Sequence, residues 1–178
     1  MKTLFLIKEK EGLEKDYSIL YSMMTYARKT TLDLLENISI DELDFQYNKD
    51  ANSIGMLLEH MIAVEKIYQK LTFESVTEDE LEEFAETLEP ALSLGEKANI
   101  LKGRTAESYI QELDQVRQKT LEFFSTQSTK WLYEETDWWY DEKANNFFKW
   151  FHVFEDEINH RGQIRIIKKM YKNTLQNT

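Results

Sequence analysis

Residues 147–170, FFKWFHVFEDEINHRGQIRIIKKM, carry two of the chain's three histidines. His152, Asp156 and His160 recur every four residues, slightly more than one turn of an α-helix, so they share one face of a predicted helix. Their neighbours on that face are Phe148, Asn159, Gln163, Ile166, Ile167 and Met170. A buried imidazole or carboxylate without a partner costs roughly 1–3 kcal/mol or more. The pattern therefore indicates a bound partner, and a metal ion would supply one.

Length and composition predict one helical domain. The chain has 178 residues, of which 42% are hydrophobic, enough for a single core. It has only five glycines and one proline, Pro90, whereas 31% of its residues are charged. This composition favours an all-α protein with few tight turns. No segment rich in proline, glycine or serine suggests a linker, so residues 1–178 are predicted to form one domain.

Charge and cysteine content exclude several classes of function. The formal net charge of −11 disfavours binding to nucleic acid or to an anionic membrane. The absence of cysteine excludes disulfides, a thiolate nucleophile and any cysteine-ligated metal, so a metal site would need histidine and carboxylate. The apolar run at residues 4–7 is too short for a signal peptide or a spanning helix. A cytoplasmic protein is expected.

Apolar residues at helical spacing predict four main helices. They cover about residues 13–35, 54–71, 106–125 and 143–172, and the final NTLQNT is expected to fray. Asn52 or Ser53 is the expected N-cap of the second helix, which contains His60 at the flank of its apolar stripe. A four-helix bundle is the expected architecture.

Two connecting segments lie between these helices. Residues 76–104 are strongly acidic and are predicted to be a solvated surface that crosses over the end of the bundle. Thr77 and Glu80 have the spacing of a capping box, which predicts a short helix there. Residues 129–146 mix tryptophan with acidic residues and are interpreted as a partly extended lid over one end of the bundle. The aromatic residues of this region either line an apolar substrate pocket or belong to the core and the lid, which is the expected role of most of them. They are Trp138, Trp139, Tyr140, Phe147, Phe148, Trp150 and Phe151.

The histidines predict a metal site with two possible ligand sets. Residues four apart on a helix can bind one ion, whereas residues eight apart are about 12 Å from each other along the axis. With His60 from the second helix, the set is either His60, Asp156 and His160 or His60, His152 and Asp156. Two histidines and one carboxylate suit zinc, nickel or iron(II), and the spacing does not choose among them. The alternative is that each histidine is simply hydrogen-bonded within the core.

Two motifs resemble a known family. SIGMLLEHMIAVEK at residues 53–66 and HVFEDEINHRGQI at residues 152–164 are similar to the DinB/YfiT family of small bacterial metal-binding proteins. The resemblance implies a four-helix bundle with up-down-down-up connectivity, frequent homodimers, and zinc or nickel held by three histidines. Matched by position, the ligands fall on His60, Asp156 and His160, and Asp156 stands where the family usually has histidine. His152 matches a further position often occupied by histidine.

The resemblance also implies a loosely defined activity. Family members include thiol transferases that use bacillithiol, mycothiol or glutathione, which implies a small thiol as substrate and a divalent ion as cofactor. Water activation for hydrolysis is equally compatible with the residues, with His152 or Glu155 taking the proton. His152 could act as a general base, as an alternative ligand or as a hydrogen-bond partner of a ligand. The alternative from another class is a non-catalytic, dimeric stress-response or binding protein with a degenerate metal site.

The residues after the last histidine carry three smaller predictions. Arg161 is expected to bind a substrate carboxylate or to form an ion pair. Gly162 is expected to permit close approach of a neighbouring helix. Gln163, on the predicted inward face, is expected to hydrogen-bond a ligand or a buried partner.

Overall fold

The computed structural model describes residues 4–176, which are mostly helical. The helices are α1 (Lys15–Leu32), α2 (Ile40–Leu43), α3 (Ile54–Phe73), α4 (Glu78–Thr87), α5 (Glu89–Ser93), α6 (Ala106–Thr126), α7 (Thr129–Leu132) and α8 (Asn146–Gln176). Short 3-10 segments cover Asp33–Leu35, Gly95–Ile100 and Trp139–Asp141. Two strands, β1 (Glu135–Asp137) and β2 (Lys143–Asn145), form an antiparallel hairpin. The all-α expectation is thus met apart from this hairpin.

Helix starts follow the capping residues of the sequence. The Ser53 hydroxyl accepts a hydrogen bond from the N–H of Met56 at 3.2 Å, so Ser53 is the N-cap of α3. Thr77 and Glu80 form the expected capping box at the start of α4. In both cases a side-chain oxygen satisfies an N–H that the first helical turn leaves unpaired.

Both ends of the last helix were predicted wrongly. It begins at Asn146, because the preceding residues, including Lys143, form β2 and pair with β1. It continues to Gln176, past the expected end at Lys172, since neither proline nor another strong helix breaker interrupts it. Fraying of these last residues stays a prediction. The rest of the NTLQNT prediction, at residues 177 and 178, lies outside the described residues.

Helix α8 packs between α1 and α3. It runs parallel to α1: Arg28 contacts Glu157, and further along the chain Lys168 donates to the carbonyl oxygen of Leu34 at 2.7 Å, in the 3-10 segment that follows α1. It runs antiparallel to α3, as the site residues below show. Helix α6 packs on the other side of α3 and runs parallel to it. The groove between α3 and α8 is where the predicted ligands meet.

The buried face of α8 differs from the predicted one. Its buried residues include Trp150, Val153, Phe154, Glu157, His160, Ile164 and Ile167. Phe148, Asn159, Gln163, Ile166 and Met170 are exposed, so their assignment to the inward face is wrong. The helix packs against α1 and α3 at once, which centres its buried stripe between the two contacts. His160 lies on that stripe, whereas His152 and Asp156 lie at its edge and are half-buried.

A buried ionic network joins the four long helices. Arg28 on α1 contacts Glu157 on α8 at 3.1 Å and Glu65 on α3 at 3.2 Å. Arg117 on α6 contacts the same two carboxylates, Glu65 at 2.8 Å and Glu157 at 3.4 Å. All four residues are buried, and their two positive and two negative charges balance. The sequence carries no signal of this network, because each member is a single charged residue within an amphipathic helix.

No helix within residues 4–176 combines the length and the apolar character needed to cross a lipid bilayer.

Candidate metal centre

Helix α3 presents His60 to the groove in a defined orientation. The Nδ1 atom lies 2.8 Å from the Ala91 carbonyl oxygen, so Nδ1–H donates to that carbonyl. This contact leaves Nε2, with its lone pair, facing α8. A hydrogen bond on one ring nitrogen commonly orients a histidine whose other nitrogen binds a metal.

The acidic connector positions His60, a role that the sequence analysis missed. Helix α4 has no buried residue, in agreement with the predicted solvated surface. Helix α5, in contrast, packs on α3 and supplies the Ala91 carbonyl. The segment after α5 is held by Asn52, whose side-chain oxygen accepts a hydrogen bond from the Gly95 N–H at 2.8 Å. Pro90 in the first turn of α5 was the one local signal of this helix.

Helix α8 brings Asp156 and His160 to the same point. Asp156 Oδ1 lies 3.3 Å from His160 Nε2, and Asp156 Oδ2 lies 3.7 Å from His60 Nε2. The two imidazole rings meet edge to face with their centroids 4.7 Å apart. One ligand atom from each residue lies within 4.8 Å of the others, a spacing that could hold a metal ion. Of the two predicted sets, the geometry thus assembles His60, Asp156 and His160.

The electrostatics of the group favour a charged carboxylate between two imidazoles. Burial by itself would raise the pKa of Asp156, but the rings of His160 and His60 hold it well below its usual range. Burial likewise opposes protonation of His60, but Asp156 and the Ala91 carbonyl outweigh burial, so the pKa of His60 is raised. Asp156 therefore stays ionised at neutral pH, as a metal ligand must.

A second observation, independent of the distances between the ligands, indicates that these residues suit a divalent cation. Within residues 4–176, Asp156 Oδ2 and His160 Nδ1 are buried side-chain atoms without a hydrogen-bond partner. Buried polar atoms in folded proteins are nearly always paired, and each exception calls for an explanation. A cation between His60, Asp156 and His160 would satisfy the carboxylate. Two nitrogens and one oxygen are a donor set that zinc, nickel and iron(II) accept.

His152 lies one turn before Asp156 and has a different partner. Its Nδ1 lies 3.1 Å from Glu155 Oε2, and the other carboxylate oxygen of Glu155 accepts a hydrogen bond from Asn159. The His152 side chain is 28% exposed and the Asp156 side chain 20%. The two residues predicted to transfer a proton, His152 and Glu155, therefore contact each other, and both side chains are partly exposed to solvent.

Aromatic side chains surround His152, and the hairpin contributes two of them. The Trp139 ring meets the His152 ring edge-on at 5.4 Å between centroids and stacks on Trp138 at 4.8 Å. Tyr68 from α3 lies 6.0 Å from both Trp138 and His152. The partly extended character of this segment is thus confirmed by the hairpin, whereas its placement over one end of the bundle stays a prediction. The core assignment is wrong for Trp139, Tyr140, Phe148 and Phe151, which are exposed. Tyr68 was missed, although it follows His60 by eight residues on one side of the same helix.

The structure gives a separate outcome for each of the three smaller predictions, those for Arg161, Gly162 and Gln163. Arg161 reaches α1 and donates to the hydroxyl of Thr30, so it turns away from the groove. The prediction for Gly162 is wrong, because open space surrounds the position of its missing side chain. Gln163 is exposed and lines a shallow surface cavity of about 210 Å³ with residues of the α2–α3 loop.

The fold and the site define a mostly helical protein with a candidate two-histidine, one-carboxylate metal centre. A sequence model of the Mycothiol-S-transferase family matches residues 19–172. Because this match spans most of the chain, the protein belongs to that family, which is part of the DinB/YfiT-like superfamily. The predicted resemblance is therefore confirmed. A comparison with curated proteins gave no significant match.

Proposed function

We propose that this protein is a divalent-metal-dependent thiol S-transferase. The observation that carries the proposal is the convergence of His60, Asp156 and His160 to within 4.8 Å in a member of the mycothiol-S-transferase family. The substrate proposed is a low-molecular-weight thiol, and the second substrate is a small electrophile. Zinc and nickel are the expected ions, and iron(II) also suits the donor set.

Three residues would hold the ion, each by one atom. His60 and His160 would offer ring nitrogens and Asp156 a carboxylate oxygen, which leaves positions open to a substrate. A divalent ion bound there would supply positive charge that lowers the pKa of a thiol beside it. The low-molecular-weight thiol provides the nucleophile that this chain, which has no cysteine, does not contain.

His152, oriented by Glu155, would accept the proton of the thiol. The thiol S–H proton passes to the free Nε2 of His152, while Glu155 orients the ring through Nδ1. The sulfur then forms a bond to the electrophilic carbon, and the leaving group departs with the electron pair of the broken bond. His152 returns its proton to that leaving group or to solvent. The exposed edge of Trp139 beside His152 would contact an apolar electrophile.

We further infer that residues 1–178 form a single domain whose long helices α1, α3, α6 and α8 make a four-helix bundle. The pairwise contacts support up-down-down-up connectivity, because α8 runs parallel to α1 and antiparallel to α3, and α6 runs parallel to α3. The charged network at their centre favours one arrangement of the four helices over others. The homodimer implied by the family resemblance stays a prediction.

Elemental analysis of the protein, purified without chelator or a metal-carrying tag, tests the proposed centre. We expect about one equivalent of zinc, nickel or iron per chain in the wild type, since three converging ligands suffice for tight binding. His160→Ala and Asp156→Asn should each reduce metal affinity at least about tenfold. His152→Ala is the matched control, because it removes a histidine of the same helix outside the ligand set and should keep the metal.

A thiol-transfer assay separates the proposal from a non-catalytic protein. Mycothiol, bacillithiol and glutathione are offered in turn with 1-chloro-2,4-dinitrobenzene as electrophile. Metal-loaded wild type should form the conjugate, and His152→Ala should slow conjugate formation by about a hundredfold without metal loss. A wild type that takes up no metal after incubation with each ion would contradict the proposal and favour the binding-protein alternative.

A further inference from the structure

The hydroxyl of Tyr68 is a buried polar group that the fold leaves without a partner. The residue is 7% exposed, and within residues 4–176 its hydroxyl oxygen has no hydrogen-bond partner. A buried hydroxyl without a partner costs free energy, and each such exception in a folded protein calls for an explanation. The hydroxyl therefore requires an explanation beyond packing.

The position of Tyr68 connects it to the candidate metal centre. His60 and Tyr68 lie on one side of α3, and their counterparts on the antiparallel α8 are His160 and His152. The Tyr68 ring lies 6.0 Å from the His152 ring. Tyr68 thus packs on α8 at His152, one helical turn before Asp156, along the contact of α3 with α8.

The chemistry of the hydroxyl restricts what it can bind. Burial, and secondly the charge of Asp156, raise the pKa of Tyr68 above its usual value, so the group stays protonated and neutral. A neutral phenol is a hydrogen-bond donor, and its strongest acceptor is an anion. The carboxylate of Asp156 would cancel half the charge of a divalent ion, so an anionic sulfur held there gains more from an additional donor than it would beside three neutral histidines.

We propose that Tyr68 is a binding residue for the thiol substrate and donates a hydrogen bond to its sulfur at the His60–Asp156–His160 centre. The inference rests on the proposed function and adds to it the residue that recognises the thiolate. No side chain or backbone group of residues 4–176 pairs with the hydroxyl, which keeps the donor available for the substrate.

Cobalt(II)-loaded protein and 2-mercaptoethanol provide the test, because a thiolate bound to cobalt gives a charge-transfer absorption band. Tyr68→Phe removes only the hydroxyl oxygen. We expect the variant to bind cobalt with wild-type stoichiometry and to bind 2-mercaptoethanol about tenfold more weakly, as measured by titration of that band. Tyr109→Phe is the matched control: it deletes another buried, unpartnered hydroxyl, one that lies beside Gly55 on a different face of α3. Its thiol affinity should equal that of the wild type.

Stability of the metal-free protein separates substrate binding from a structural role. Since the hydroxyl has no partner in the protein, Tyr68→Phe should unfold at an unchanged or higher temperature. A clear loss of stability would show that the hydroxyl pairs within the fold and would overturn the inference. Equal thiol affinity in Tyr68→Phe and wild type would also overturn it while leaving the proposed function intact. Failure of the wild type to bind cobalt or thiol would instead overturn the proposed function, and this inference with it.

Discussion

Two glycines on the helices that carry the metal ligands lie in opposite surroundings. A Cβ atom at Gly55 of α3 would lie 2.8 Å from the Tyr109 hydroxyl and 3.4 Å from the Leu43 carbonyl oxygen. Tyr109 is fully buried, so its rigid ring has little room to withdraw. A Cβ atom at Gly162 of α8 would meet nothing within 4 Å. The same substitution therefore has opposite consequences at the two positions.

Gly55→Ala is expected to lower the free energy of unfolding by about 1–3 kcal/mol, because the overpacking exceeds the gain in helix propensity. Gly162→Ala is expected to raise it by about 0.5–1 kcal/mol, because only the propensity changes. Urea unfolding of the metal-free variants measures both. If the two substitutions change stability in the same direction, the close packing described at Gly55 is not present in solution.

At the scale of elements, two N-caps of the same chemistry support helices of different importance. Ser53 caps α3, which has twelve buried residues and carries His60, whereas Thr77 caps α4, which has no buried residue. Removal of either hydroxyl should cost about 0.5–2 kcal/mol in the stability of its own helix. The global free energy of unfolding decreases by this amount only where the helix is part of the core.

Ser53→Ala should therefore lower the global free energy of unfolding by about 0.5–2 kcal/mol. Thr77→Ala should leave global unfolding nearly unchanged and speed hydrogen exchange of the amides in Glu78–Thr87, because α4 can open alone. Amide exchange measured by mass spectrometry, together with urea unfolding, tests both expectations. Equal global losses for the two variants would mean that α4 unfolds only with the bundle.

At the scale of the whole molecule, the buried charges at the centre couple stability to pH. Burial by itself would raise the pKa of Glu65, but Arg117 and Arg28 hold it below its usual value. In the unfolded chain this pKa returns to about 4.3. As the pH falls, Glu65 is therefore protonated at a higher pH in the unfolded state than in the folded state. The contribution of Glu65 to stability is full above this pH and is lost as the pH decreases toward the lower pKa of the folded state.

Glu65→Gln is expected to lower the free energy of unfolding at neutral pH by about 3–5 kcal/mol, because it leaves buried arginine charge uncompensated. Glu74→Gln is the matched control: Glu74 pairs with Lys70 at the surface, and its loss should cost less than about 1 kcal/mol. Urea unfolding from neutral pH down to about pH 3 should show a weaker acid dependence for Glu65→Gln than for Glu74→Gln. Identical pH dependence would exclude Glu65 as a source of the coupling.

The sequence by itself determined the helical class, the capping residues and the candidate ligands, because these depend on local spacing. Local sequence predicted Thr77 as one N-cap and either Asn52 or Ser53 as the other, and helical period with the resemblance to a family predicted His60, Asp156 and His160. Such signals lie within one segment of the chain, so they can be recognised without knowing which helices are in contact.

The tertiary structure alone decided which side chains meet across helices. Helical period left His152 and His160 as alternatives and the resemblance favoured His160; the packing of α8 on α3 brings His160 to His60 and His152 to Tyr68. The carbonyl of Ala91 on the Nδ1 of His60 and the unpartnered hydroxyl of Tyr68 also depend on contacts between distant segments. A single glutamate or tyrosine in an amphipathic helix has no local signature of burial. Its role depends on the charged group or aromatic ring that it contacts on another helix. A periodic pattern within one segment does not predict that contact.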